Sequence, residues 1–250
     1  MDKNILYSFL LSFLAGISTL VGSFFIFFNK KGDNNIVTVS LAFASGIMIC
    51  VSLTDLLPNS YNMILNTNNF FPKLITSLIF MVIGIIISML IDKYLPDNNE
   101  DVFYKIGIIS MIAIILHNIP EGIATFITSA NNIKLGIKLS FAIALHNIPE
   151  GISIAVPIYY STHNKKKAIF YALISGMSEV LGSIIAYLFL SPYMNNYIMA
   201  SLYAIIAGIM IHISVYELLP TAYKESTLKL VLRYFIIGFI IMIVSHLIIK

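Results

Sequence analysis

"LHNIPEGI" occupies residues 116–123, and the same eight letters return at residues 145–152. Both copies lie inside long apolar runs, where a histidine, an asparagine, a glutamate and a helix-disfavouring proline need a reason. The runs themselves extend over nearly the whole chain. Of 250 residues, 58% are hydrophobic and 11% are charged, against the roughly 25% charged content of soluble domains. The mean hydropathy is +0.90. This composition belongs to an integral membrane protein.

A helix needs about 20 mainly apolar residues to cross the hydrocarbon core. Runs of that kind cover approximately 5–28, 36–57, 70–91, 103–128, 135–159, 167–190, 196–218 and 228–249. We therefore expect an all-α fold of eight transmembrane helices forming one domain over 1–250, with no soluble appendage. The separators carry turn chemistry: Asn29-Lys30-Lys31-Gly32-Asp33, Pro58-Asn59-Ser60, Leu95-Pro96-Asp97-Asn98-Asn99, His163-Asn164-Lys165 and Ser191-Pro192. Their shortness predicts that sequential helices are antiparallel neighbours. The first run is too long for a signal peptide and ends without a small-x-small cleavage site, so it counts as the first helix.

Lysine and arginine concentrate on one side. With the N-terminus outside, the cytoplasmic side holds Lys30, Lys31, Lys93, Lys105, Lys165, Lys166, Lys167, Lys224, Lys229 and Arg233, and the outside holds Lys3, Lys73, Lys134, Lys138 and Lys250. Both termini are expected outside, in the cell membrane. The net charge of +3 is small and dispersed, which argues against nucleic acid as a partner. The lone cysteine, Cys50, can form no internal disulfide.

A second pair of segments repeats. "GIMICVSLTDLLPNSY" (Gly46 to Tyr61) resembles "GIMIHISVYELLPTAY" (Gly208 to Tyr223). Helices 2 and 7 run in opposite directions, as do helices 4 and 5. Inverted pairs with Pro/Gly-interrupted helices are the pattern of transporters whose site lies near the midplane.

Acidic residues inside the runs are Asp55, Glu121, Glu150, Glu179 and Glu217, while no lysine or arginine lies deep in a span. A buried carboxylate without a countercharge must be protonated or balanced by an imported cation. His117 and Glu121 are i and i+4, with Asn118 at i+3 to the same glutamate, and His146, Asn147 and Glu150 repeat the arrangement. Two facing helices thus offer two imidazoles, two carboxylates and two amide oxygens, a set suited to a borderline divalent ion such as Zn²⁺. Pro120 and Pro149 free carbonyls beside the ligands, and Gly122 and Gly151 permit close helix approach. Glu179, in "SGMSEVLGS" on helix 6, is placed in the same metal site. Met48 could add a thioether. Asp55 toward the outside, and His212 and Glu217 toward the cytoplasm, mark an entrance and an exit path.

At these motifs the sequence resembles the ZIP family of divalent-metal transporters, most closely its bacterial ZupT-like branch. The likeness runs through "HNIPEGIATF", "HNIPEGISIAVP", "SGMSEVLGS" and the two Leu-Leu-Pro segments. It implies a primary metal site at His117, Glu121, His146 and Glu150 with Met48 alongside, and a second site at Asn118, Glu121, Asn147, Glu150 and Glu179, bridged by Glu121 and Glu150. It also implies uptake into the cytoplasm by alternating access, one helix bundle sliding against another, and a homodimer in the bilayer. The transported ions would be zinc, with iron, manganese and cobalt as further cargo and no resident cofactor. In place of the histidine-rich loop of many members, this chain has only "DKYLPDNNED" at 92–101. The competing reading is an intramembrane metal-dependent hydrolase, but such a site wants His-Glu-x-x-His with a glutamate base between two ligands. Here the order is His-x-x-x-Glu twice, and no enzyme activity is expected.

Overall fold

The structure is a computed structural model that describes residues 3–28, 34–64, 70–94, 102–190 and 195–249. The separators at 29–33, 95–99 and 191–192, with Lys30, Lys31 and Lys250, lie outside them. Among the described residues there are eight long apolar helices: α1 (Lys3–Phe27), α2 (Asn35–Met63), α3 (Phe70–Lys93), α4 (Phe103–Asn131), α5 (Ile133–Thr162), α6 (Lys165–Phe189), α7 (Asn196–Glu225) and α8 (Leu228–Leu247). Asparagines start three of them. Asn132 accepts from the N–H groups of Lys134 and Leu135, Asn164 from Lys167, and Asn195 from Ile198. Each satisfies donors that the first helical turn leaves open. His163, with φ 51°, ends α5 in the left-handed region.

Two expectations need correction. Pro58-Asn59-Ser60 is not a separator, because α2 continues through it to Met63, just as α7 passes Pro220 to reach Glu225. A proline has no N–H, and its ring crowds the carbonyl four residues back. The chain absorbs this with a π turn just upstream. The N–H of Leu57 reaches back five residues to the Ser52 carbonyl, and that of Leu219 to Ser214. Asp55 and Glu217 each sit inside one of these turns. Second, sequential helices are antiparallel but are not all neighbours: among the described residues α1 does not pack on α2, nor α6 on α7. Instead α1, α4, α5 and α6 form one bundle, while α2, α3, α7 and α8 form another, and α2 against α5 with α4 against α7 makes the seam.

Small residues choose these partners. A Cβ added to Gly16 on α1 would lie 2.3 Å from the Gly176 carbonyl oxygen on α6, and one on Gly176 would lie 2.2 Å from that of Gly16. In the second bundle Gly46 and Gly238 close the α2–α8 crossing, and Gly84 and Gly208 the α3–α7 crossing. In hydrocarbon, where apolar surface gives no preference for another helix over lipid, such backbone contact is what selects a partner. All these close crossings lie within a bundle. The seam is filled by side chains, among them Met48, Val51, Ile152, Val156, Ile206 and Met210.

The paired contacts also reveal a fuller internal symmetry than the sequence motifs did. "AGISTLVGS" at 15–23 on α1 stands to α5 as "SGMSEVLGS" at 175–183 on α6 stands to α4. Gly22 abuts the Ile148 carbonyl and Gly182 that of Ile119; Gly151 abuts the Thr19 carbonyl and Gly122 that of Glu179. The pairs are therefore α1/α6, α2/α7, α3/α8 and α4/α5.

Candidate metal centre

Both HNIPEG copies are helical throughout, since α4 and α5 run unbroken across Pro120 and Pro149. The i,i+4 spacing then stacks each histidine over its own glutamate. Packing α4 on α5 brings the two stacks together. The Nε2 of His146 is 3.0 Å from Glu121 Oε1 in a hydrogen bond between the helices. The Nε2 of His117 lies 3.3 Å from Glu121 Oε1 and 3.2 Å from Glu150 Oε1, at ion-pair distance but without hydrogen-bond geometry. Ligand atoms of His117, Glu121 and His146 all fall within 4.8 Å of one another. Glu150 joins this group through His117. Glu121 thus stands between both imidazoles, the place a bridging ligand would take.

Two amides, Asn118 and Asn147, follow the two imidazoles along their helices. Asn147 donates from Nδ2 to Glu179 Oε2 at 3.0 Å and to the Ala15 carbonyl at 3.0 Å. Asn118 donates from Nδ2 to the Ser175 carbonyl at 3.2 Å. Both amide nitrogens are spent on neighbouring helices, so both amide oxygens are left open. Six oxygens of these asparagines and glutamates are buried without a hydrogen-bond partner: Asn118 Oδ1, Asn147 Oδ1, Glu121 Oε2, Glu179 Oε1 and the two oxygens of Glu150. Buried acceptors are normally satisfied. Glu121, Glu150 and Glu179 are at most 3% exposed, and no lysine or arginine side chain is buried among the described residues.

The remaining sequence candidates lie on α2 and α7. Met48 is buried in the seam with its repeat counterpart Met210. Asp55 accepts from Asn59 Nδ2 at 2.8 Å and borders a cavity of about 360 Å³ with Thr54, Lys138 and His246. His212 bonds through Nδ1 to Ser88 Oγ at 2.9 Å and stacks on Tyr216. The Glu217 carboxyl faces that of Asp92 on α3. Asp92 and Ser88 were missed in the sequence because their relation to α7 depends on the α3–α7 crossing. His246 bonds Thr54, tying α8 to α2, and His163 caps α5.

The comparisons with known proteins decide the family. A model of the ZIP zinc transporter family matches residues 97–246, more than half of the chain. The chain belongs to the ZIP family. Curated ZIP relatives match almost end to end: a zinc transporter ZupT from Clostridium perfringens (strain 13 / Type A) is 38% identical over 97% of this chain and 96% of its own. Another from Streptococcus mutans is 36% identical over 98% of both, and one from Salmonella newport is 39% identical over 85% of both. The ZIP match takes in the whole His–Asn–Glu cluster with Glu179, His212 and Glu217. It leaves out α1, Met48 and Asp55.

Proposed function

We propose that this ZIP protein carries divalent transition-metal ions, zinc foremost, across the membrane into the cytoplasm through the cluster of His117, Asn118, Glu121, His146, Asn147, Glu150 and Glu179. The observation that carries this reading is the imbalance at the cluster: three buried carboxyl groups and two imidazoles with no buried lysine or arginine among the described residues. An unpaired charge in such surroundings costs several kcal/mol. A passing divalent ion supplies the missing charge, and the mix of imidazole and carboxylate suits Zn²⁺ better than an oxygen-only ion. The relatives carry the name zinc transporter, which supports zinc over iron, manganese or cobalt as the main cargo.

The two bundles supply the moving parts. Glycine-locked crossings make each a unit, whereas the seam is side-chain packing that can slide (shear). The ligands belong to the α1/α4/α5/α6 bundle, so displacement of that bundle against α2 and α7 carries the site past Asp55 on one side and His212, Glu217 and Asp92 on the other. The same reading places the termini outside, in the cell membrane, and pairs two copies through the outer helices α3 and α8, which bury the smallest share of their length. A hydrolase reading would leave the inverted pairs without a role.

Uptake of radioactive Zn²⁺ into proteoliposomes tests the proposal. Saturable uptake by the wild type that Glu121→Ala loses, blocked by Fe²⁺ and Mn²⁺ but not Mg²⁺, is the expected result. Folded wild-type protein with no uptake above empty vesicles would overturn it.

A further inference from the structure

The internal twofold axis pairs every element of the metal centre with a counterpart, with one exception. His117 pairs with His146, Asn118 with Asn147, and Glu121 with Glu150 on α4 and α5. On α6 and α1, Ser175 pairs with Ala15, Gly176 with Gly16, and Ser178 with Ser18. The contacts follow the pairing. Asn118 Nδ2 donates to the Ser175 carbonyl as Asn147 Nδ2 does to that of Ala15, and Ser178 Oγ bonds Ser175 as Ser18 Oγ bonds Ala15. The exception is the counterpart of Glu179. That position holds Thr19.

Thr19 occupies its seat as a mirror of Glu179. A Cβ on Gly176 would stand 3.2 Å from Thr19 Cβ, and a Cβ on Gly16 would stand 3.4 Å from Glu179 Cβ. A threonine in a helix commonly gives its hydroxyl to the carbonyl three or four residues earlier. For Thr19 these carbonyls are those of Gly16 and Ala15, and the Ala15 carbonyl already accepts from Ser18 Oγ and Asn147 Nδ2 besides its helical N–H. Thr19 is 0% exposed and its Oγ1 has no hydrogen-bond partner. Asn118 Oδ1, Ser175 Oγ and Glu150 Oε2 are buried without a hydrogen bond as well, while Glu150 Oε1 lies 3.2 Å from His117 Nε2.

We infer that Thr19 Oγ1 is a cation ligand of the cluster, sitting in the seat opposite Glu179 and making that half of the centre an oxygen-only position with Asn118 and Glu150. The inference rests on the metal-transport reading and deepens it. An oxygen-only donor set suits a hard divalent ion such as Mn²⁺, whereas the imidazole half keeps a preference for Zn²⁺. Threonine in place of a fourth carboxylate also holds the cluster to three negative groups, so a second divalent ion there is held more loosely and is released sooner. Thr19 lies outside the segment matched by the family model.

The test uses the full chain with Thr19→Val, which keeps the shape and removes the hydroxyl, and Thr19→Ser, which keeps the hydroxyl and removes a methyl. Binding of Mn²⁺ and of Zn²⁺ is measured on purified protein by equilibrium dialysis with metal analysis. Thr19→Val should weaken Mn²⁺ at least tenfold while Zn²⁺ stays within about twofold, and Thr19→Ser should match the wild type for both. Wild-type Mn²⁺ binding in Thr19→Val, equal losses for both metals in both variants, or no Mn²⁺ binding by the wild type would each overturn the inference. Failure of the transport reading shows separately, as Zn²⁺ uptake that Glu121→Ala leaves intact.

Discussion

Gly122→Ala follows directly from the way α4 meets α6. The added Cβ would lie 1.9 Å from the Glu179 carbonyl oxygen and 2.7 Å from its carbonyl carbon. Both are backbone atoms of a helix and cannot swing aside. To restore the roughly 3.3 Å of an ordinary C–H···O approach, the two helices must part by about 1.4 Å. Overpacking of this kind destabilises by about 1–3 kcal/mol. The functional loss should be larger than the loss of stability suggests. Glu121 precedes Gly122 and Glu179 is the residue struck, so the separation opens the metal centre itself, where ligand distances tolerate about 0.2 Å. Thermal melting of the purified protein and Zn²⁺ uptake by proteoliposomes read the two effects. Gly208→Ala is the control, because its Cβ would lie 2.0 Å from the Met81 carbonyl oxygen at the α3–α7 crossing, away from the ligands. Both variants should melt earlier, but only Gly122→Ala should lose more than about tenfold in Zn²⁺ affinity at a temperature where both are folded. Unchanged melting and uptake in Gly122→Ala would refute the close crossing, and equal affinity losses in the two variants would refute its link to the site.

Glu121→Gln keeps the volume and a hydrogen-bond acceptor for His146 but removes the charge between the two imidazoles, so Zn²⁺ affinity should fall by about a hundredfold or more; isothermal titration reads it, and retention of wild-type affinity would remove Glu121 from the site. Acid should weaken metal binding, since His117, His146 and the glutamates must shed protons to ligate. The metal-free cluster therefore holds more protons than the loaded one, and affinity rises with pH; titration in two buffers of different ionisation heat should detect protons released on Zn²⁺ binding, and none released would contradict it. Asp55→Asn should lower the uptake rate a few-fold at low metal and leave equilibrium affinity at the cluster intact, as measured by initial rates beside dialysis; equal falls in both would place Asp55 in the cluster. His163→Ala should leave uptake unchanged, because His163 ends a helix outside the centre.

What the sequence determined was most of what one helix carries, though not the passage of α2 through Pro58 by way of a π turn. Spans follow from local hydropathy, and the pairing of His117 with Glu121 and of His146 with Glu150 follows from the 3.6-residue period, which needs no knowledge of neighbours. The doubled motif also announced that two such helices face each other. Tertiary structure decided what depends on a crossing. Asn118 reaches Ser175 and Asn147 reaches Ala15 only because α6 and α1 settle on α4 and α5 through their glycines. The short loops fixed helix direction and said nothing of partners, so α1 went to α5 and α6 rather than α2. Thr19 looked like one more small residue in an apolar run, since nothing in its own helix marks it. Its buried, unpartnered hydroxyl is visible only in the packed structure, where Asn147 of another helix bonds the Ala15 carbonyl one turn away.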